Sequence, residues 1–223
     1  MTGEAGPRSG FCTIPRYNSG IRASVRYLLN AAVFTSYFIA VAPAWANPED
    51  GTVVAGAATI DRTSATRLDI NQTTNKAVID WRSFSVAPNE HTNFNQASSS
   101  AVALNRVTGD VSSQILGKLT ANGQIMLINP NGVLFGPNAR VDVAGLVATT
   151  ADIRNEDFLA GNYNFDSAGN PQAAIVNQGN ISIADQGLLA FVAPGVVNSG
   201  VINARLGRVS LAADRASAGS PAR

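Results

Sequence analysis

The chain has 223 residues, a formal net charge of +1, one cysteine and one histidine. This near-neutral balance gives no sign of a nucleic-acid binder, which carries a basic face. One cysteine cannot build a disulfide framework, and one histidine without a cysteine cluster is a poor metal site.

The first 46 residues stand apart. They hold Arg8, Arg16, Arg22 and Arg26 against the single acid Glu4, then the mostly apolar run Tyr27–Ala42. Pro43-Ala44-Trp45-Ala46 follows, a small-x-small end with Ala44 and Ala46 in the cleavage positions. A basic region, an apolar region and small residues describe a secretory signal peptide, here with an unusually long basic region. The alternative is a membrane anchor, but the run is short for a bilayer span and contains Asn30, Thr35 and Ser36. Cleavage after Ala46 leaves a domain 47–223 with no stable membrane insertion. Removing the four arginines and Glu4 from the 16 basic and 15 acidic residues leaves 12 and 14, a net charge of −2. Cys12 goes with the leader, so no disulfide is expected in the mature chain.

Residues 47–80 alternate in places (TRLDI, KAVID) but fit poorly the repeat found further along the chain. They are expected to form an N-terminal cap, because the end coils of a stacked fold must cover an open edge. Trp81, Phe84 and Phe94 then fall close together. They suit the wide end of an apolar core beside the cap, with a carbohydrate-binding cluster as the alternative. His91 lies between Glu90 and Thr92 in a strand-like run, and is expected to have a structural or surface role.

The stretch 121–150 reads ANGQIMLINPNGVLFGPNARVDVAGLVATT. Alternating runs at Gln124–Ile128, Val133–Phe135 and Val141–Val143 are separated by Asn129-Pro130-Asn131-Gly132 and Gly136-Pro137-Asn138. Proline fixes φ and lacks a donor, while Asn and Gly tolerate the left-handed region, so these are tight corners between short strands. Residues 152–174 then break the pattern with a polar segment containing NYNF. It is expected to be an extra-helical excursion, a loop or small hairpin taking the place of a skipped coil.

The rest is repetitive. Segments opening at Gly123, Gly145, Gly187 and Gly207 are 22, 42 and 20 residues apart, and Val176 and Val197 open similar segments 21 apart. A period near 21 signals a solenoid. Helical periodicity and LxxLxL are both absent. What remains are short Val- and Ile-rich strands punctuated by Gly, Asn and Pro, which predict an all-β parallel β-helix. The competing architecture is an antiparallel β-sandwich. Asn177 and Asn198 should stack at equivalent corners as an amide ladder. After Gly207 one ordinary coil is followed by RASAGSPAR, with no recognisable cap. That end is expected to be covered by a partner or by further chain.

Chemistry is sparse. A catalytic β-helix needs carboxylates and basic groups converging on one face. The candidates are Asp142, Asp152, Glu156, Asp157 and Asp185, with Arg140 and Arg154, but Asp152, Glu156 and Asp157 fall in the excursion and not at equivalent positions of stacked coils. Asp185 and Arg205 fit an ordinary cross-coil ion pair. No nucleophile elbow, phosphate loop, dinucleotide fingerprint or calcium nonapeptide is present. No catalytic residue, metal or cofactor is expected.

Asp80-Trp81 with Ser83-Phe84, Asn89-Glu90-His91, Phe94-Asn95-Gln96, AVALNRVTG (101–109), ANGQIMLINPNGVLFG (121–136) and AGLVATTADI (144–153) resemble the N-terminal secretion domain of filamentous-haemagglutinin-like adhesins. These are the exported partners in two-partner secretion. The resemblance implies a right-handed parallel β-helix, a non-enzymatic module that passes through the periplasm of a Gram-negative bacterium. A dedicated outer-membrane β-barrel transporter with POTRA domains would recognise it and thread it to the cell surface or extracellular space. Asn129, Pro130, Asn131, Gly132 and Val133 match the family's secretion motif, which often ends in Ile. The further Asn-Pro-Asn-Leu motif of some members is not present. A host or neighbouring-cell surface receptor is a possible later partner. The alternatives are a self-contained secreted β-helix that binds glycans or cell surfaces, and a polysaccharide lyase or hydrolase.

Overall fold

Short strands that bend at Asn, Pro and Gly after three to seven residues are too brief for a flat sheet, and they coil. The structure is a computed structural model and describes residues 47–213. The expected signal segment, with Ala44, Ala46 and Cys12, lies outside the described residues.

In chain order the first strands are β1 (Thr52–Ala55), β2 (Ala58–Ser64), β3 (Arg67–Gln72), β4 (Lys76–Trp81), β5 (His91–Asn95) and β6 (Val102–Val107). Next come β7 (Ser113–Ile115), β8 (Lys118–Ala121), β9 (Gln124–Ile128), β10 (Val133–Phe135), β11 (Arg140–Val143) and β12 (Gly145–Thr149). A short helix, α1 (Asn155–Ala160), precedes β13 (Ala174–Asn177), β14 (Asn180–Ile183) and β15 (Leu188–Ala193). The last strands are β16 (Gly195–Asn198), β17 (Val201–Ala204) and β18 (Arg208–Ala213).

They form three sheets, which are the walls of a solenoid. The first runs β1-β4-β6-β9-β12-β15-β18, the second β16-β13-β10-β7, and the third β17-β14-β11-β8-β5-β3-β2. All pairings between successive coils are parallel, so the sandwich alternative falls. The exceptions close the N-terminal end: β1 pairs antiparallel with β4, and β2 antiparallel with β3. Parallel pairing begins with β3 on β5 and β4 on β6, within the stretch 47–80.

The core runs down the axis. Ile125 and Leu127 of β9, Phe135 of β10, Val141 and Val143 of β11, Leu146 of β12 and Phe191 of β15 all point inward and are buried. Phe135 and Phe191 stack at 5.6 Å between ring centres. Trp81, Phe84 and Phe94 are buried at the N-terminal end, with Phe84 edge-on to Trp81 at 5.7 Å and stacked on Phe94 at 6.5 Å. The Trp81 indole N–H donates to Asn105 Oδ1 at 3.0 Å, which satisfies the one polar atom the cluster buries. These aromatics are core, as their place beside the cap suggested. The amide ladder also forms: Asn177 Nδ2 donates to Asn198 Oδ1 at 2.8 Å across coils in register.

The excursion differs from expectation in one respect. β10 pairs directly with β13, and β12 with β15. The 42-residue gap is therefore one coil with an insertion, and no coil is skipped. The inserted chain carries α1, ends it with Gly161 in the left-handed region (φ 86°), and makes a single antiparallel bridge between Asp152 and Ser167. It folds back over the outside of the first sheet. This explains why β9 reads as the continuous apolar run IMLI: Ile125 and Leu127 face the core, while Met126 and Ile128 face the insertion. A strand covered on both faces loses its polar alternation.

Candidate functional site

The corner between β9 and β10 holds the residues that carry the family resemblance. Asn129 closes β9, and its backbone carbonyl accepts from Gly132 N–H at 3.0 Å, forming a four-residue turn. Pro130 takes the second position, where its fixed φ is favourable. Asn131 does not adopt positive φ, whereas Gly132 does, at 98°. A Cβ on Gly132 would stand 2.5 Å from the Ala174 carbonyl oxygen of the next coil, so both backbone and space call for glycine.

Asn129 makes the most of its amide. Its Oδ1 accepts from Asn131 N–H at 2.9 Å, and its Nδ2 donates to Ser113 Oγ at 2.9 Å and to the Val111 carbonyl at 3.0 Å. All three side-chain bonds are internal, and the residue is fully buried. Asn131 Nδ2 reaches the Gly109 carbonyl at 3.3 Å. From the other side, Asn170 N–H of the insertion donates to the Pro130 carbonyl at 3.0 Å. Gly132 and Val133 are buried, and Pro130 and Asn131 half-buried. The corner is thus clamped to the preceding coil, the following coil and the insertion. It holds no ionisable group and offers no acid, base or nucleophile.

The other candidate residues are dispersed. Arg140 and Asp142 lie on β11, in register with Lys118 and Thr120 on one side and Asn180 and Ser182 on the other. Asp185 pairs with Arg205 at 2.6 Å, the cross-coil pair expected from the spacing. Asp152, Glu156 and Arg154 do come together, lining a cleft of about 350 Å³ beside the insertion. Within it Asp152 is bound by Arg106, and Arg154 pairs with Asp157 at 2.7 Å. His91 is held at both nitrogens: Nδ1 faces Arg67 Nη1 at 3.1 Å and Nε2 faces Thr120 Oγ1 at 2.7 Å. The guanidinium can only donate, so Nδ1 accepts and the proton sits on Nε2. Burial and the nearby cations Arg67 and Lys118 push this histidine below its ordinary pKa. Among the described residues no cluster of three His, Cys, Asp or Glu is placed to hold a metal ion.

Two residues escaped the sequence reading. Lys76 and Arg106 organise the insertion, and the available signal was a lone cation in each of the mostly apolar strands KAVIDW and VALNRV.

A capped parallel β-solenoid, with a buried Asn-Pro-Asn-Gly corner and an insertion over its first sheet, is the architecture of a secretion domain. The chain belongs to the TPS secretion domain family, whose model matches residues 44–219. Exoproteins of two-partner secretion are exported by Gram-negative bacteria to the cell surface or extracellular space. The crystal structure of the HMW1 secretion domain from Haemophilus influenzae is similar, with a TM-score of 0.69 and 35% identity, covering 76% of this chain and 45% of that one. Two heme/hemopexin-binding proteins of Haemophilus influenzae are also similar. One is 44% identical over 53% of this chain and 13% of its own length. The other, from strain ATCC 51907 / DSM 11121 / KW20 / Rd, is 38% identical over 70% of this chain and 18% of its own length. The chain thus spans less than a fifth of these curated relatives.

Proposed function

We propose that the domain is a non-enzymatic export module, read by the POTRA domains of a dedicated outer-membrane β-barrel transporter before it folds. The observation that carries the reading is the full burial of Asn129, with every side-chain bond spent inside the fold. A transporter meeting the folded domain finds half of Pro130 and Asn131 and none of Asn129. A transporter meeting the extended chain finds all five residues, Asn129 to Val133. Short alternating strands are also suited to adding to an exposed sheet edge. A signal peptide ending at Ala46 would deliver the chain to the periplasm in that state. Folding at the cell surface then buries the motif and opposes return.

The relatives are named for binding heme or hemopexin. In this chain both ring nitrogens of the single histidine are occupied within the fold, which supports export as the task of these coils. The test is co-expression of the full chain with candidate partner transporters in a Gram-negative host. Surface or medium accumulation that requires one transporter supports the reading. Accumulation indifferent to every transporter overturns it.

A further inference from the structure

We propose that the insertion, residues 150–173, is a strap that docks after the coils have stacked and locks the N-terminal part of the first sheet against unwinding. Its seat is assembled from three coils. Phe158 is fully buried in a cluster with Val78 of β4, Val102 and Leu104 of β6, and Met126 and Ile128 of β9. No one of these strands presents that surface alone, so the seat exists only once β4, β6 and β9 lie side by side.

Two cations fasten the strap. Lys76 Nζ donates to the carbonyls of Phe158 and Leu159, each at 2.9 Å, at the C-terminal end of α1. The same ammonium lies 5.5 Å from the ring centres of Phe158 and Tyr163. Arg106 is the second fastening. Its Nε donates to both oxygens of Asp152, its Nη1 to Asp80 and Asn155, and its Nη2 to the Ile153 carbonyl at 2.6 Å. One side chain, 14% exposed, thereby ties β4, β6 and the strap together.

The order of events follows from what depends on what. The ladders from β10 to β13 and from β12 to β15 pair without using any residue of the strap. The strap cannot hold its shape without the ladders: α1 has six residues, and an isolated helix of that length is not stable in water. Contacts made after the folding barrier act on the unfolding rate and leave the folding rate nearly untouched. The strap is therefore a lock on the finished coils and takes no part in nucleating them. This holds whether or not the transporter reads the unfolded chain, because it concerns the purified protein alone.

Stopped-flow unfolding and refolding of the purified chain, wild type against Phe158→Ala, tests the proposal. The variant is expected to unfold at least about tenfold faster and to refold within about twofold of wild type. Slower refolding with an unchanged unfolding rate would place the strap in the nucleus and overturn the lock. If the variant does not accumulate, native-state hydrogen exchange on the wild type decides. The amides of Phe158, Gly161 and Asn162 should open at lower denaturant than those of Leu104 and Leu127. A single shared opening for all five amides would contradict the proposal.

Discussion

Asn129 Nδ2 and Ser113 Oγ lie 2.9 Å apart and join the corners of two successive coils in the buried wall of the solenoid. The residue that best marks this family in the sequence is thus a structural fastener in the folded domain. Its role in the fold and its proposed role in recognition act on different states of the same chain. Each can be measured separately.

Asn129→Ala removes the donor to Ser113 and Val111 and the acceptor for Asn131 N–H. Buried partners left without a bond cost about 1–3 kcal/mol. A urea titration of the purified chain should show a lower midpoint with an unchanged slope. An unchanged midpoint would mean that the corner contributes nothing to stability.

Gly132→Ala meets two obstacles, a φ of 98° and the Ala174 carbonyl 2.5 Å from the new Cβ. Strain of this kind costs about 1–3 kcal/mol. Thermal unfolding should show the loss. Gly145→Ala is the comparison, since its nearest neighbour would stand at 3.3 Å and no positive φ is required. The Gly132 variant should be the less stable of the two.

Stability should fall as the pH drops from neutral toward 5, because of His91. Desolvation, Arg67 and Lys118 lower its folded pKa below the unfolded value of about 6.5, while Asp69 opposes them. The unfolded chain then binds the extra proton first. The contribution is complete above the unfolded pKa and is lost as the pH falls through the folded one. His91 is the chain's single histidine, so His91→Asn should flatten the urea midpoint across this window. A wild-type slope that persists in the variant would remove His91 from the account.

A second acid step belongs to Asp69. Its hydrogen bonds from Arg67, Asn93 and Thr63 hold the carboxylate well below the usual range, Arg67 being the largest cause. A depressed folded pKa stabilises above the unfolded value of about 3.9 and is lost as the pH falls below it. Asp69→Asn should therefore be less stable than wild type at pH 7, with the gap closing toward pH 2. A gap that stays constant would deny the charged pair its role.

Much of the fold was legible because a solenoid repeats itself. Glycine-led segments about 21 residues apart gave the coil, and the matching positions of Asn177 and Asn198 gave their ladder. Asp185 and Arg205 gave their pair in the same way, since each contact joins one period to the next. The strap was legible as an excursion, but its seat was not, for the converse reason. Lys76 and Phe158 are 82 residues apart and meet on the outside of the sheet, where no repeat governs spacing. The corner lay between these cases. Asn129-Pro130-Asn131-Gly132 announced a turn through its own backbone preferences, but its partners Val111 and Ser113 belong to the coil before. Burial therefore had to come from the structure.

The most direct test of the central claim compares two variants of the full chain, co-expressed with the partner transporter. Ser113→Ala takes away one of Asn129's folded partners and leaves the motif intact. Asn129→Ala/Asn131→Ala removes the motif's two amides. If the transporter reads the motif before folding, export persists in the first and is lost in the second. Equal export of both, or equal loss of both, would contradict that account, the latter by assigning the effect to the stability of the corner.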